Sequence, residues 1–145
     1  ALNSLRIEKG YRAWKGDLST DYSMLEGGLE RFVKFDKPQD FTGKAALMSE
    51  KQQGRKKAFV TLKVDAGKAD APYMSTIWHN GEVVGETTSG AWGYRVNASV
   101  ALGVVRTDLS NEGQELEVEI FGERCKATVQ ADAPMWDPAN DRIRA

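Results

Sequence analysis

The stretch GQELEVEIFGERCKATV, residues 113–129, alternates strictly. Leu116, Val118 and Ile120 fall on one side of an extended chain and Glu115, Glu117 and Glu119 on the other. A period of two over this length identifies a half-buried strand. With Gly122-Glu123 as the turn, a returning strand sets Ile120 opposite Cys125, Val118 opposite Ala127 and Glu119 opposite Lys126. Apolar pairs then lie inside and opposite charges outside, the arrangement that stabilises a hairpin.

Working outward, the same period recurs. Asn80-Gly81 separates Ile77-Trp78-His79 from Glu82-Val83-Val84, a strong two-residue hairpin signal that pairs Trp78 with Val83 and His79 with Glu82. Ala58, Val60, Leu62 and Val64 alternate with Phe59, Thr61 and Lys63, and residues 100–105 form a continuous apolar run. Short strands at regular spacing with no helix between them predict a small antiparallel barrel or sandwich. Before residue 57 the pattern is different. Residues 1–9 read as a helix with Leu2 and Leu5 on its core face and Gly10 ending it. Residues 10–24 read as an ordered loop rich in aromatics, and residues 32–35 as a short strand that buries Phe32 and Phe35. Asp40 or Thr42 is placed to cap a helix running from Gly43 to about Gln53, which Gly54 stops. Arg55-Lys56-Lys57 reads as a solvated link. The class is therefore α+β.

Composition excludes more than it assigns. The 145 residues carry a net charge of −1, so no global field favours nucleic acid, and no apolar run is long enough to span a membrane. One cysteine, Cys125, allows no internal disulfide and fits a reducing compartment. The chain starts at Ala1 without a methionine and runs straight into a helical pattern, which reads as a piece of something longer. His79, the one histidine, lies beside a turn and is expected to be exposed. Cys125 faces inward by alternation, as a small hydrophobe. With one His and one Cys there is no zinc or copper set, and there is no nucleotide-binding glycine motif.

The remaining chemistry lies in residues 10–35. LEGGLERFVKF, residues 25–35, puts a carboxylate, bare backbone and a guanidinium into an apolar run. Tyr11, Trp14, Tyr22, Glu26 and Arg31 could line a pocket for a flat, polar, anionic ligand: rings to stack, a carboxylate for N–H groups, an arginine for an acid. The same rings could instead cement the first third of the chain to the barrel. Spacing alone leaves both readings open.

ALNSLRIEKGYRAWKGDL, followed by MLEGGLERFVKF and DFTGKAAL, resembles the C-terminal part of the folate-binding aminomethyltransferase family. That family includes the glycine-cleavage T-protein and the tail regions of dimethylglycine and sarcosine dehydrogenases. IWHNGEVVGETTSGAWGY, ASVALGVV, GQELEVEIFGERCKATV and PMWDPANDRIR extend the resemblance nearly end to end. Leu2 stands where the T-protein pattern has an arginine associated with folate, and the closing WDPANDRIR is similar to the dehydrogenase tails.

The resemblance implies the end of a folate-binding domain over residues 1–50 and a β-barrel over 56–145. It implies a partial tetrahydrofolate site, with FAD held only by the longer parent protein. Arg31, Tyr11, Trp14 and Glu26 are the implied pocket residues, with Glu26 either touching ligand or fixing a turn. Arg142 and Arg144 are candidates for the folate's glutamate tail. Arg31 departs from the aromatic usual at its position. No catalytic residue is implied within the chain, because the family's catalytic aspartate belongs to the earlier half of the domain. The implied partners are that missing N-terminal part and folate itself, in a bacterial cytoplasm or a mitochondrial matrix. A non-catalytic folate-like module and a flavin-independent demethylase stay open as alternatives.

Overall fold

A computed structural model describes residues 1–67, 69–132 and 134–144. Two helices, α1 (Leu2–Glu8) and α2 (Lys44–Gln53), precede six strands: β1 (Lys57–Val64), β2 (Thr76–His79), β3 (Glu82–Gly93), β4 (Ala98–Arg106), β5 (Glu115–Ile120) and β6 (Glu123–Val129). The strands close into an antiparallel barrel in the order β1-β4-β3-β2-β5-β6, with β6 returning to β1. Closure removes exposed sheet edges. The α+β class and the barrel are as the alternation predicts. No helix among the described residues is long and apolar enough to cross a membrane.

Inward alternation fills the barrel with Leu62, Ile77, Ala101, Val105, Val118 and Val129, among others, all essentially buried. A second cluster lies outside the barrel wall, where Ile7 of α1 packs on Ala91, Val100 and Leu102. Strand β4 is therefore buried on both faces, which is why its sequence is apolar without alternation.

Several expectations are corrected. Leu2 and Leu5 do share a face, but it points to solvent, and Leu2 is 79% exposed. The buried face carries Ser4, Ile7 and Glu8. Its polar members bond to the barrel's backbone: Ser4 Oγ donates to the Trp92 carbonyl (2.6 Å), and a Glu8 oxygen accepts from the Arg95 N–H (2.6 Å). Apolar spacing cannot rank two faces when the docking face is partly polar. Residues 32–35 form no strand. A 3-10 turn over Glu30–Phe32 occupies the region and leaves Phe32 62% exposed, with Phe35 half-buried. Neither Asp40 nor Thr42 caps α2, which starts from Gly43 in a left-handed conformation (φ 90°). His79 is half-buried rather than exposed.

Both hairpins form. Trp78 pairs with Val83 and His79 with Glu82, across Asn80 and Gly81 at φ 50° and 82°. The last hairpin turns one residue earlier than expected, on Phe121 (φ 51°) and Gly122 (φ 87°). Val118 consequently opposes Cys125, Leu116 opposes Ala127, and Lys126 meets Glu117 rather than Glu119. A slip of two preserves every face, so the inward and outward assignments survive.

Candidate functional site

The first third of the chain is held to the barrel by a buried charge. Strand β3 shifts register against β4 between Thr87 and Ser89, placing an extra residue there. In a regular strand Thr88 and Ser89 would point to opposite faces; the bulge aims both at one acceptor. That acceptor is Asp17, whose carboxylate is fully buried. It accepts from Thr88 Oγ1 (2.6 Å), Ser89 Oγ (2.7 Å), the Ala13 N–H (2.7 Å) and Arg6 Nη1 (2.8 Å). Arg6 also donates to the Tyr11 carbonyl (3.0 Å), so one ion pair fixes α1 and both ends of the loop that carries Tyr11 and Trp14.

A second anchor holds the closing segment. Lys9 is buried, and its ammonium donates to the Asp137 carbonyl (2.7 Å) and to Asn140 Oδ1 (2.8 Å). The Trp136 ring receives Lys9 (5.4 Å) and the Arg95 guanidinium (4.1 Å), while the backbone N–H of Trp136 donates to the Glu8 carbonyl (3.1 Å). Asp137 in turn accepts from the backbone N–H groups of Arg142 and Ile143.

Between these anchors runs a groove of about 850 Å³, bounded by Tyr11, Arg12, Arg31, Phe59, Asp132 and Asn140, among others. That size suits an ordinary small-molecule ligand. Arg12 dominates its chemistry. Its guanidinium stacks 4.1 Å from the Phe59 ring centroid, and its Nε is buried with no acceptor. Burial pushes its pKa below the usual value; Asp132 opposes this, Arg31 adds to it, and Asp17 opposes it. A larger depression of about 1040 Å³ lies against other strand ends, with Trp78, His79 and Trp92 in its wall. It contains none of the predicted site residues and neither of the buried, unpartnered polar atoms. The smaller groove is therefore the candidate site.

Of the predicted residues, the groove brings together Tyr11 and Arg31. Arg31 is exposed, with its guanidinium 4.8 Å from the Phe32 ring. Trp14 is 75% exposed and does not line the groove. Glu26 is engaged in a turn: its carboxylate accepts from the Ser23 N–H (3.2 Å), and Ser23 Oγ accepts from the Glu26 N–H (3.0 Å). Tyr22 acts as cement, donating to Glu86 Oε1 at 2.6 Å. Its pKa is pushed well above the ordinary value by burial and by that carboxylate. Arg142 and Arg144 are exposed on the closing segment, outside the groove lining. Sequence reasoning missed Arg12, Lys9 and Asp17. The one available signal was Gly27-Gly28, bare backbone beside which a guanidinium is packed. Among the described residues no cluster of His, Cys, Asp or Glu is arranged to hold a metal ion.

Comparison with known proteins places this geometry. Residues 57–137 match the family described as the glycine cleavage T-protein C-terminal barrel domain. Mitochondrial dimethylglycine dehydrogenase of Mus musculus is 43% identical over 145 residues, covering 99% of this chain and 17% of that protein. An aminomethyltransferase of Synechococcus sp. (strain WH7803) is 38% identical over 129 residues, 89% of this chain and 35% of that protein. The chain thus spans well under half the length of either relative. The crystal structure of glycine cleavage system aminomethyltransferase T from Bartonella henselae superposes with a TM-score of 0.85 at 26% identity, over 94% of this chain and 38% of that one. The closed six-stranded barrel and the match across most of it establish that the chain belongs to the glycine cleavage T-protein C-terminal barrel family.

Proposed function

We propose that this chain supplies the barrel-side wall of a tetrahydrofolate site in an N-methyl amine dehydrogenase of the dimethylglycine or sarcosine type, where a released one-carbon unit is captured. The observation that carries the reading is the groove itself. It lies where the loop bearing Tyr11 crosses the barrel, is of small-ligand size, and presents Arg31 and Arg12, whose buried Nε has no acceptor. Those features fit a flat ligand with an anionic end. The high similarity to dimethylglycine dehydrogenase supports the choice among the family's activities.

In this reading residues 1–50 close the folate-binding domain and residues 56–145 form the barrel. When bound, tetrahydrofolate supplies the nitrogen atoms that accept a one-carbon unit. This chain's residues bind and orient it: Tyr11 offers a ring face, Arg31 a guanidinium, and Glu26 holds the turn that positions Gly27 and Gly28. Trp14, Arg142 and Arg144 would meet the ligand from outside the groove. The exposed Leu2 and Phe32 would pack against the preceding part of a longer chain, which would also carry the catalytic aspartate and the flavin. The compartment would be a mitochondrial matrix or a bacterial cytoplasm.

Calorimetric titration of the full-length protein with tetrahydrofolate tests the reading. Arg31→Ala should weaken binding about tenfold or more, as expected for loss of one charged contact. Unchanged affinity with stability retained would remove Arg31 from the site, and absence of binding by the unsubstituted protein would overturn the reading. The 145-residue chain alone should bind much more weakly than the full-length protein.

A further inference from the structure

The geometry points to Arg12 as the anion-receiving residue of the groove, the group that makes it select ligands bearing carboxylates over neutral ones of the same ring system. This rests on the folate reading and deepens it. Arg12 was not among the residues that spacing or resemblance singled out, and its setting is unusual for an arginine. Among the described residues it enters no ion pair, and its Nε is buried without an acceptor. A guanidinium stays charged, and leaving one of its donors unmet in a partly buried setting is unfavourable. Arg12 also lines the groove, where a carboxylate bound to its guanidinium would offset the charge.

The guanidinium is held in place before any ligand arrives. One face lies on the Phe59 ring. Phe59 is itself fixed twice, by pairing with Val104 and by donating its N–H to the Glu26 carbonyl (2.9 Å). Beside it is Gly28, in the left-handed region at φ +65°, where an added Cβ would come within 2.7 Å of Arg12 Nη2. Gly28 therefore leaves the space that the guanidinium fills. A planar fork clamped between a ring and bare backbone loses little freedom on binding, and its donors suit a carboxylate. Arg31 acts on Arg12 through its charge, and Lys9 and Arg55 also line the groove. Lys9 is engaged by Asp137 and Asn140 and Arg55 donates to the Leu25 carbonyl, which leaves Arg12 and Arg31 as the pair that faces a ligand. A terminal glutamate offers two carboxylates. Asp132 is exposed and opposes the effect of burial on Arg12, but it is not within ion-pair distance of it.

The test uses the full-length protein and three probes followed by calorimetry: tetrahydrofolate, 6-methyltetrahydropterin (the reduced ring without carboxylates), and N-(4-aminobenzoyl)-L-glutamate (the carboxylates without the pterin). Arg12→Gln should weaken tetrahydrofolate and aminobenzoylglutamate about tenfold or more, as for one lost charge-assisted contact. Affinity for 6-methyltetrahydropterin should stay within about twofold, since no charged contact is removed. Arg12→Lys should recover part of the loss, because it restores charge but not the fork. Gly28→Ala keeps the charge, moves the guanidinium, and should reproduce part of the Arg12→Gln effect. If Arg12→Gln lowers the urea midpoint enough to obscure binding, Arg12→Lys and Gly28→Ala carry the comparison. Equal loss for carboxylated and neutral probes, or no loss for either, overturns the role of Arg12 while tetrahydrofolate binding by the unsubstituted protein leaves the folate reading standing. Arg12-dependent binding of aminobenzoylglutamate without binding of tetrahydrofolate has the opposite meaning. Failure of all three probes removes both.

Discussion

Replacing Asp17 with asparagine should be among the most damaging single changes available in this chain. The side chain is fully buried and its two oxygens accept four hydrogen bonds, from Arg6, Ala13, Thr88 and Ser89, at 2.6–2.8 Å. An asparagine of the same shape has one acceptor oxygen and one NH₂ group. Two of the four donors would then face another donor, and Arg6, itself mostly buried, would lose its counter-ion. Removing one partner of a buried pair costs about 3–5 kcal/mol. At about 3–4 °C per kcal/mol for a chain of this size, that predicts a Tm lower by roughly 10–20 °C.

Differential scanning calorimetry reads the Tm, and amide exchange at Ala13 separates local release of the loop from global loss. A milder control is Thr88→Val, which removes one hydroxyl donor to the carboxylate while leaving the ion pair in place and should cost about 1.5–3 kcal/mol. A Tm for Asp17→Asn within about 2 °C of the unsubstituted protein would refute the assignment. So would unchanged exchange at Ala13. Either result would mean that the loop carrying Tyr11 and Arg12 is held by something other than this ion pair.

The closing segment should be sensitive to acid. Burial acts to raise the Asp137 pKa, but the N–H donors of Arg142 and Ile143 and the charge of Lys9 outweigh it and hold the value below the ordinary one. A carboxylate with a lowered folded-state pKa contributes stability above its unfolded pKa, about 3.9, and loses that contribution as pH falls through the folded value. Trp136 fluorescence should therefore change, and exchange at Arg142 and Ile143 should accelerate, below about pH 4; Asp137→Asn should abolish that pH dependence, and its persistence would exclude Asp137 as the group responsible. The last hairpin offers a stabilising change. Phe121 is 85% exposed yet held at φ 51°, so Phe121→Asn should raise stability by about 0.5–1 kcal/mol in urea denaturation, because asparagine tolerates that conformation and little buried area is lost.

What the sequence revealed and what it concealed divide by the range of the interaction involved. Strand β1, the two hairpins and β4 are set by neighbours a few residues apart, and their period or turn chemistry is visible in a short window. The one register error arose because phenylalanine rarely accepts a positive φ, so Phe121-Gly122 does not look like the turn that Asn80-Gly81 announces. The docking of α1 and the site behind it follow no such rule. Asp17 meets Thr88 and Ser89 across 71 and 72 residues, and Lys9 meets Asp137 and Asn140 across 128 and 131. Each is a charged or polar residue that composition assigns to the surface, and each is buried because its partner comes from elsewhere in the chain. The β3 bulge is equally silent in sequence: its signature is two adjacent hydroxyl residues pointing the same way, which appears only once Asp17 is in place. In LEGGLERFVKF the carboxylate and Gly28 each meet a group elsewhere in the chain. Glu26 closes a turn on Ser23, and Gly28 clears space for Arg12, sixteen residues upstream. A glycine pair of this kind is best read as a question about which side chain needs the vacated volume, and here the answer is the one guanidinium whose buried nitrogen lacks an acceptor among the described residues.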